Sequence, residues 1–150
     1  TSKILLDNNQ LFFSNNQNSF FSLDKKTGFL NWKNNINSEI KPVIVDNLIF
    51  TISSEGLFFV IDKVSGNILR ITNIFYQFKK KKRAKIKPTG IILDPNKAYI
   101  SLNNGKIVVV NIKNGKTESI FKVSRDKISQ PFINQDYMFI VKDNEIIKLK

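Results

Sequence analysis

Apolar and polar residues alternate along this chain in short runs, each closed by Asp, Asn, Ser or Gly, and the runs come in groups of four. The stretch 42–74 shows the unit most clearly: residues 42–45 alternate as a strand, Asp46-Asn47 turns the chain, and 48–53 return as a second strand. Ser54-Glu55-Gly56 makes the next turn, 57–61 a third strand, 62–66 a tight turn, and 67–74 a fourth strand. Asp and Asn at such turns accept hydrogen bonds from backbone ahead of them, and Gly supplies positive φ. The same frame predicts strands at 3–6, 10–14, 19–23 and 29–33, and again at 90–93, 97–102, 106–111 and 117–123. A last group, 131–133, 137–142 and 145–149, stops one strand short. No segment shows sustained helical periodicity.

The groups also repeat as words. Leu23-Asp24-Lys25-Lys26-Thr27-Gly28 returns as Ile61-Asp62-Lys63-Val64-Ser65-Gly66, and in degraded form as Val110-Asn111-Ile112-Lys113-Asn114-Gly115. Pro42, Pro88 and Pro131 open the second, third and fourth groups. A period of about 40 to 50 residues built from short strands and turns means a radial or stacked β architecture. The expectation is an all-β chain forming one partial β-propeller domain, 1–150, with four-stranded antiparallel blades at approximately 3–36, 40–76, 88–124 and 130–150. The last blade lacks its outer strand. Propellers commonly close by letting an N-terminal strand complete the last blade, so a longer parent chain is expected, its N-terminus pairing near 145–149. A four-bladed ring, or an eight-bladed ring from two copies, are the other arrangements. The start at Thr1 rather than Met fits a processed product or an excised piece.

Composition narrows the chemistry. The chain has no Cys and no His, which removes thiol nucleophiles, zinc-finger sites, imidazole bases and disulfides together. No apolar run approaches the roughly 20 residues of a membrane helix. The net charge of +12 invites a polyanion. However, Lys79, Lys80, Lys81, Lys82, Arg83, Lys85 and Lys87 hold seven of the 24 basic residues, and without them 17 face 12 acidic ones, a balance of +5. Only Arg70, Arg83 and Arg125 are Arg, and Lys, Asn, Ile and Phe are all over-used, as an AT-rich bacterial genome would dictate.

The basic run follows Phe75-Tyr76-Gln77-Phe78 and is an insertion of roughly eight residues against the other copies, which predicts a protruding hairpin or loop. A like-charge block is most simply an extended, solvated loop. Its partner-binding readings are an acidic protein or anionic lipid headgroups and, least favoured, single-stranded nucleic acid.

Phe20-Phe21-Ser22-Leu23-Asp24 through Gly28, with Trp32 four residues on, and Gly56-Leu57-Phe58-Phe59-Val60-Ile61-Asp62 through Gly66 resemble the repeat of the quinoprotein-like (PQQ-repeat) propeller family. The resemblance implies that Trp32 packs between neighbouring blades rather than binding a ligand. Counted from the turn Gly, the Trp position is Arg70 in the second copy and Ser119 in the third, and the Asp position is Asn111 in the third. Such degraded repeats look more like scaffolds than like the family's quinone-dependent dehydrogenases, which hold calcium in a carboxylate and amide cluster.

The carboxylates here have turn positions. Asp7, Asp46, Asp94 and Asp136 precede or occupy the first hairpin turns, Asp24 and Asp62 open the turns ending in Gly, and Glu55, Asp143 and Glu145 sit at or beside the middle hairpins. Recurrence in register marks a structural job, so no catalytic, cofactor-binding or metal-ligating residue is assigned and no cofactor is expected. The family resemblance is strongest to the propeller lipoproteins of the outer-membrane barrel-assembly machinery. It implies a non-catalytic protein-binding scaffold at the periplasmic face of the outer membrane, tethered through a lipidated N-terminal Cys. Its partner would be the periplasmic domains of the barrel-forming subunit, met by loops and by strand addition at open blade edges. Open edges also predict self-association. The alternatives are a fragment of a quinone-dependent dehydrogenase and a polyanion- or nucleic-acid-binding adaptor.

Overall fold

A computed structural model describes residues 3–15, 17–142 and 144–149. They form fifteen strands, all paired antiparallel in sequence order as hairpin meanders. The chain divides into two compact units, Thr1–Asn73 and Ile74–Lys150.

The first unit holds two four-stranded sheets. One consists of β1 (Leu5–Asp7), β2 (Gln10–Ser14), β3 (Phe20–Asp24) and β4 (Leu30–Asn34), the other of β5 (Val43–Val45), β6 (Leu48–Ile52), β7 (Leu57–Asp62) and β8 (Ile68–Asn73). Period-2 alternation on β2, β3 and β7 turns Phe12, Phe20, Phe59 and Ile61 into a shared core with Trp32, Ile36 and Ile49. The linker between the sheets is tied down by buried hydroxyls. Ser14 Oγ donates to Ile36 O (3.0 Å), Ser38 N–H donates to Ser14 Oγ (3.3 Å), and Thr51 Oγ1 donates to Ser38 Oγ (3.1 Å). Buried polar groups need such partners.

The second unit opens with a 3-10 turn, Ile74–Gln77, and a single helical turn, α1 (Lys80–Arg83). A four-stranded sheet follows: β9 (Pro88–Asp94), β10 (Lys97–Leu102), β11 (Lys106–Asn111) and β12 (Thr117–Lys122). The last sheet has three strands, β13 (Phe132–Asn134), β14 (Tyr137–Lys142) and β15 (Glu145–Leu149). Ile107 and Val109 of β11 pack with Ile128 and with Met138 and Ile140 of β14 as a core shared by these two sheets. Asp143, one of the carboxylates assigned to a turn, lies outside the described residues.

One expectation is corrected. Residues 74–83 were expected as the end of a strand and a protruding hairpin or loop, and instead form the two helical turns. Alternation cannot reveal a four-residue helix, which is shorter than the window over which a 3.6 period emerges. So short a helix is also not stable by its own propensity. Arg83 holds it: Nε donates to Phe78 O (2.9 Å), the guanidinium donates to Tyr76 O (2.8 Å), and its carbon lies 5.4 Å from the Tyr76 ring centroid.

Candidate functional site

Three features carry the chemistry of this chain: the repeated turn with its Trp contact, the open outer edges of the sheets, and the basic segment. In the first copy the N–H groups of Lys26 and Thr27 donate to Asp24 Oδ1 (2.9 and 2.7 Å), as does the Thr27 hydroxyl (2.9 Å). In the second, Val64 and Ser65 N–H donate to Asp62 Oδ1 (3.1 and 2.7 Å), with the Ser65 hydroxyl at 2.8 Å. In the third, Lys113 and Asn114 N–H donate to Asn111 Oδ1 (3.0 and 3.2 Å). The turn Gly closes each loop by donating to the backbone O of Asp24, Asp62 or Asn111. The next N–H, of Lys25, Lys63 or Ile112, reaches the first hairpin turn at Asn9, Asn47 or Asn96. Asp24 and Asp62 end β3 and β7, and Gly28, Gly66 and Gly115 close the turns that follow the third strands.

Hydrogen bonding has an electrostatic consequence. The Thr27 amide and hydroxyl hold the Asp24 carboxyl below its ordinary range, and those of Ser65 do the same to Asp62. A carboxyl lowered on folding contributes stability that is complete above its unfolded value, near 4, and is lost as pH falls through the lower folded value. Acidification below about pH 4 is therefore expected to loosen the first two turns more than the third, where Asn111 cannot titrate and the Glu118 carboxylate accepts only from its side-chain Nδ2. Amide exchange of Thr27, Ser65 and Asn114 by NMR reads this directly. Equal loss of protection at all three would contradict it.

The sheet register shows what the repeat word encodes. In each four-stranded sheet the pairing of third and fourth strands slips at one place, after Ser22↔Trp32, after Val60↔Arg70 and after Val109↔Ser119. Trp32, Arg70 and Ser119 therefore occupy one position beside a repeated β-bulge, a device that re-aims side chains. Trp32 is 8% exposed. Its ring lies 5.9 Å from Phe12 and 5.8 Å from Phe20, and its Nε1 donates to Lys63 O at 3.0 Å. The indole lies against Gly66, where an added Cβ would fall 2.6 Å from its ring carbons. Asn34 Nδ2 donates to Gly66 O (2.8 Å), and Lys63 Nζ bridges Asp7 Oδ2 (2.8 Å) and Asp46 O (3.1 Å). Sequence reasoning missed Lys63 and Asn34. Asn34 meets Gly66 across 32 positions and Lys63 meets Asp7 across 56, beyond the reach of a pattern within one copy. Pro42 and Pro131 are buried and Pro88 is partly so, each at or beside the first strand of a sheet.

The outer strands of the first unit are open on one side. In the strand ladders of the described residues, β4 pairs with β3 and β8 with β7, each at the end of its sheet. Around them Phe29 is 75% exposed, Leu69 58% and Ile71 53%, with Leu30 and Ile68 exposed as well. An edge strand presents unpaired backbone donors and acceptors, and apolar side chains beside it favour pairing with another chain.

The seven cations of the basic segment lie in and beside α1, with no buried residue among Lys80–Arg83. Ile86 is buried, and Asn103 pins the segment's end by accepting from Lys87 N–H (2.9 Å) and donating to Lys85 O (3.0 Å).

A family model described as outer membrane protein assembly factor BamB matches residues 1–72. That match spans the two sheets of the first unit. No curated protein matches at a significant level. Among solved structures, BamB from Moraxella catarrhalis superposes with a TM-score of 0.73 at 17% identity, over 99% of this chain and 46% of that one. The computationally designed Ika8 protein gives 0.76 at 14% identity, over 99% and 44%. Quinohemoprotein alcohol dehydrogenase from Comamonas testosteroni gives 0.65 at 13% identity, over 81% and 20%. These likenesses show the β-propeller fold. The chain spans less than half the length of BamB.

The quinoprotein likeness raises the question of a calcium and quinone site. Among the described residues no group of three or more Asp or Glu stands close enough to hold a metal ion. Asp94 and Asp136 line an open cavity of about 590 Å³ with Tyr99 and Tyr137, and supply two carboxylates. This stretch does not fit the calcium cluster. No helix among the described residues is long and apolar enough to cross a membrane.

Proposed function

We propose that this chain is a non-catalytic, protein-binding propeller segment of BamB type, acting at the periplasmic face of a bacterial outer membrane in the assembly of β-barrel proteins. The open edge of β8 carries this reading. Leu69 and Ile71 stand two residues apart, more than half exposed, on the strand that ends its sheet beyond β7, which is the arrangement that accepts an added strand from a partner. The proposed partner is the periplasmic part of the barrel-forming subunit. The BamB family match over 1–72 supports it, since that match covers both sheets of the first unit. The repeated carboxylates serve turns, which leaves them no catalytic task in this stretch.

Titration calorimetry of the chain against the purified periplasmic domains of the barrel subunit tests the reading. Wild type is expected to bind, and Leu69→Lys with Ile71→Lys to weaken binding by roughly tenfold or more, because charges on an edge strand oppose strand addition. Exposed positions tolerate such changes, so folding should persist. Unchanged affinity in the double variant, or quinone- and calcium-dependent alcohol oxidation by the wild-type chain, would count against it.

A further inference from the structure

The basic segment does more than cover the second unit. Lys81, Lys82 and Lys85 meet Lys106 of β11 and Lys122 of β12 around one open cavity of about 650 Å³. Small-molecule sites run from about 300 to 1,000 Å³. Lys106 and Lys122 are direct cross-strand partners, and like charges placed opposite each other destabilise a sheet. None of the described residues lining the cavity is acidic. Two other lysines do meet carboxylates, Lys63 at Asp7 and Lys97 at Glu118. Phe78 also lines the space, with Lys106 Nζ 5.3 Å from its ring centroid, which offsets only part of one charge. Asn104 lines the space as well, and its Oδ1 is buried without a hydrogen-bond partner among the described residues. Turned over, that amide presents two N–H donors instead.

A like-charge pair left opposed is a cost that an anion would remove, and the Asn104 amide, turned over, would add N–H donors to that anion. Lysine suits phosphate as a compact point charge. One phosphate ester carries at most about −2, too little for the five lysines that line the cavity. We propose that this cavity binds a small ligand bearing two or more phosphates, free in solution or displayed on a lipid headgroup. The site lies wholly in the second unit and does not depend on the β8 edge.

The test uses the full chain in low-salt, phosphate-free buffer, with calorimetry and thermal unfolding. Inorganic pyrophosphate should bind and raise the unfolding temperature of wild type. Lys106→Gln with Lys122→Gln should bind roughly tenfold more weakly or worse, and Lys113→Gln with Lys116→Gln should match wild type. Lys122→Glu sets a countercharge opposite Lys106. It should be more stable than wild type without ligand and insensitive to pyrophosphate, whereas a variant that merely disturbed folding would be less stable. A response to pyrophosphate marks a free ligand. A response only to phosphatidylcholine vesicles containing cardiolipin, lost in the double Gln variant, marks a headgroup. No response to either probe, even where a single-stranded oligonucleotide binds, overturns the proposal. So does a response that the double Gln variant retains.

Discussion

Trp32→Ala is expected to destabilise the first unit by about 4 kcal/mol, the range for emptying a buried large aromatic site. The indole is nearly buried and contacts Phe12 and Phe20. It also spans the two sheets of the unit, since its N–H ends on Lys63 O in the turn after β7. Removing it opens a cavity between Phe12, Phe20 and Gly66 and leaves the Lys63 carbonyl without that donor. Trp32→Phe keeps much of the volume and should cost about 1–2 kcal/mol, mainly the hydrogen bond and some packing. Urea unfolding followed by far-UV circular dichroism measures both variants without relying on the fluorescence of the one Trp. A loss below about 1 kcal/mol for Trp32→Ala would show that the sheets are held together by other contacts.

The second large effect is a contrast between two glycines of the same repeat word. Gly28 and Gly66 have nearly the same backbone, φ +73 and +75, so each favours Gly. Their surroundings differ. A Cβ on Gly28 would meet nothing within 4 Å, whereas one on Gly66 would lie 2.6 Å from the Trp32 indole. Gly28→Ala should therefore cost about 1 kcal/mol, the left-handed penalty alone. Gly66→Ala should cost about 3 kcal/mol, because overpacking adds to that penalty. In the Trp32→Ala background the steric part disappears, so the two changes should be strongly non-additive. Equal costs for the two glycines would mean that the indole moves aside freely.

The strands and turns of this chain were legible because their causes are local. Asp62, Ser65 and Gly66 build a turn from atoms within four residues of one another, and the short apolar run 57–61 between turn residues is visible without any knowledge of partners. The same locality explains the one element misread. The fold of 74–87 depends on Arg83 reaching back to Tyr76 and Phe78 and on Asn103 holding Lys85 and Lys87, and none of these is a periodic signal. The cavity was out of reach for a related reason. Lys106 and Lys122 are sixteen positions apart and face each other only after the bulge at Val109/Val110 shifts the register. The signal existed in the turn closed by Gly115 together with the repeated slip seen in the first two copies. Trp32 was legible as a packing residue by resemblance, while its partner Gly66 needed coordinates.

The protein-binding reading is tested most directly by amide hydrogen exchange of the chain with and without the periplasmic domains of the barrel subunit. Strand addition predicts new protection concentrated in β8, Ile68–Asn73, the strand with an unpaired side and exposed Leu69 and Ile71. Unchanged exchange across β8 at saturating partner, with protection confined to other segments or absent, would contradict it.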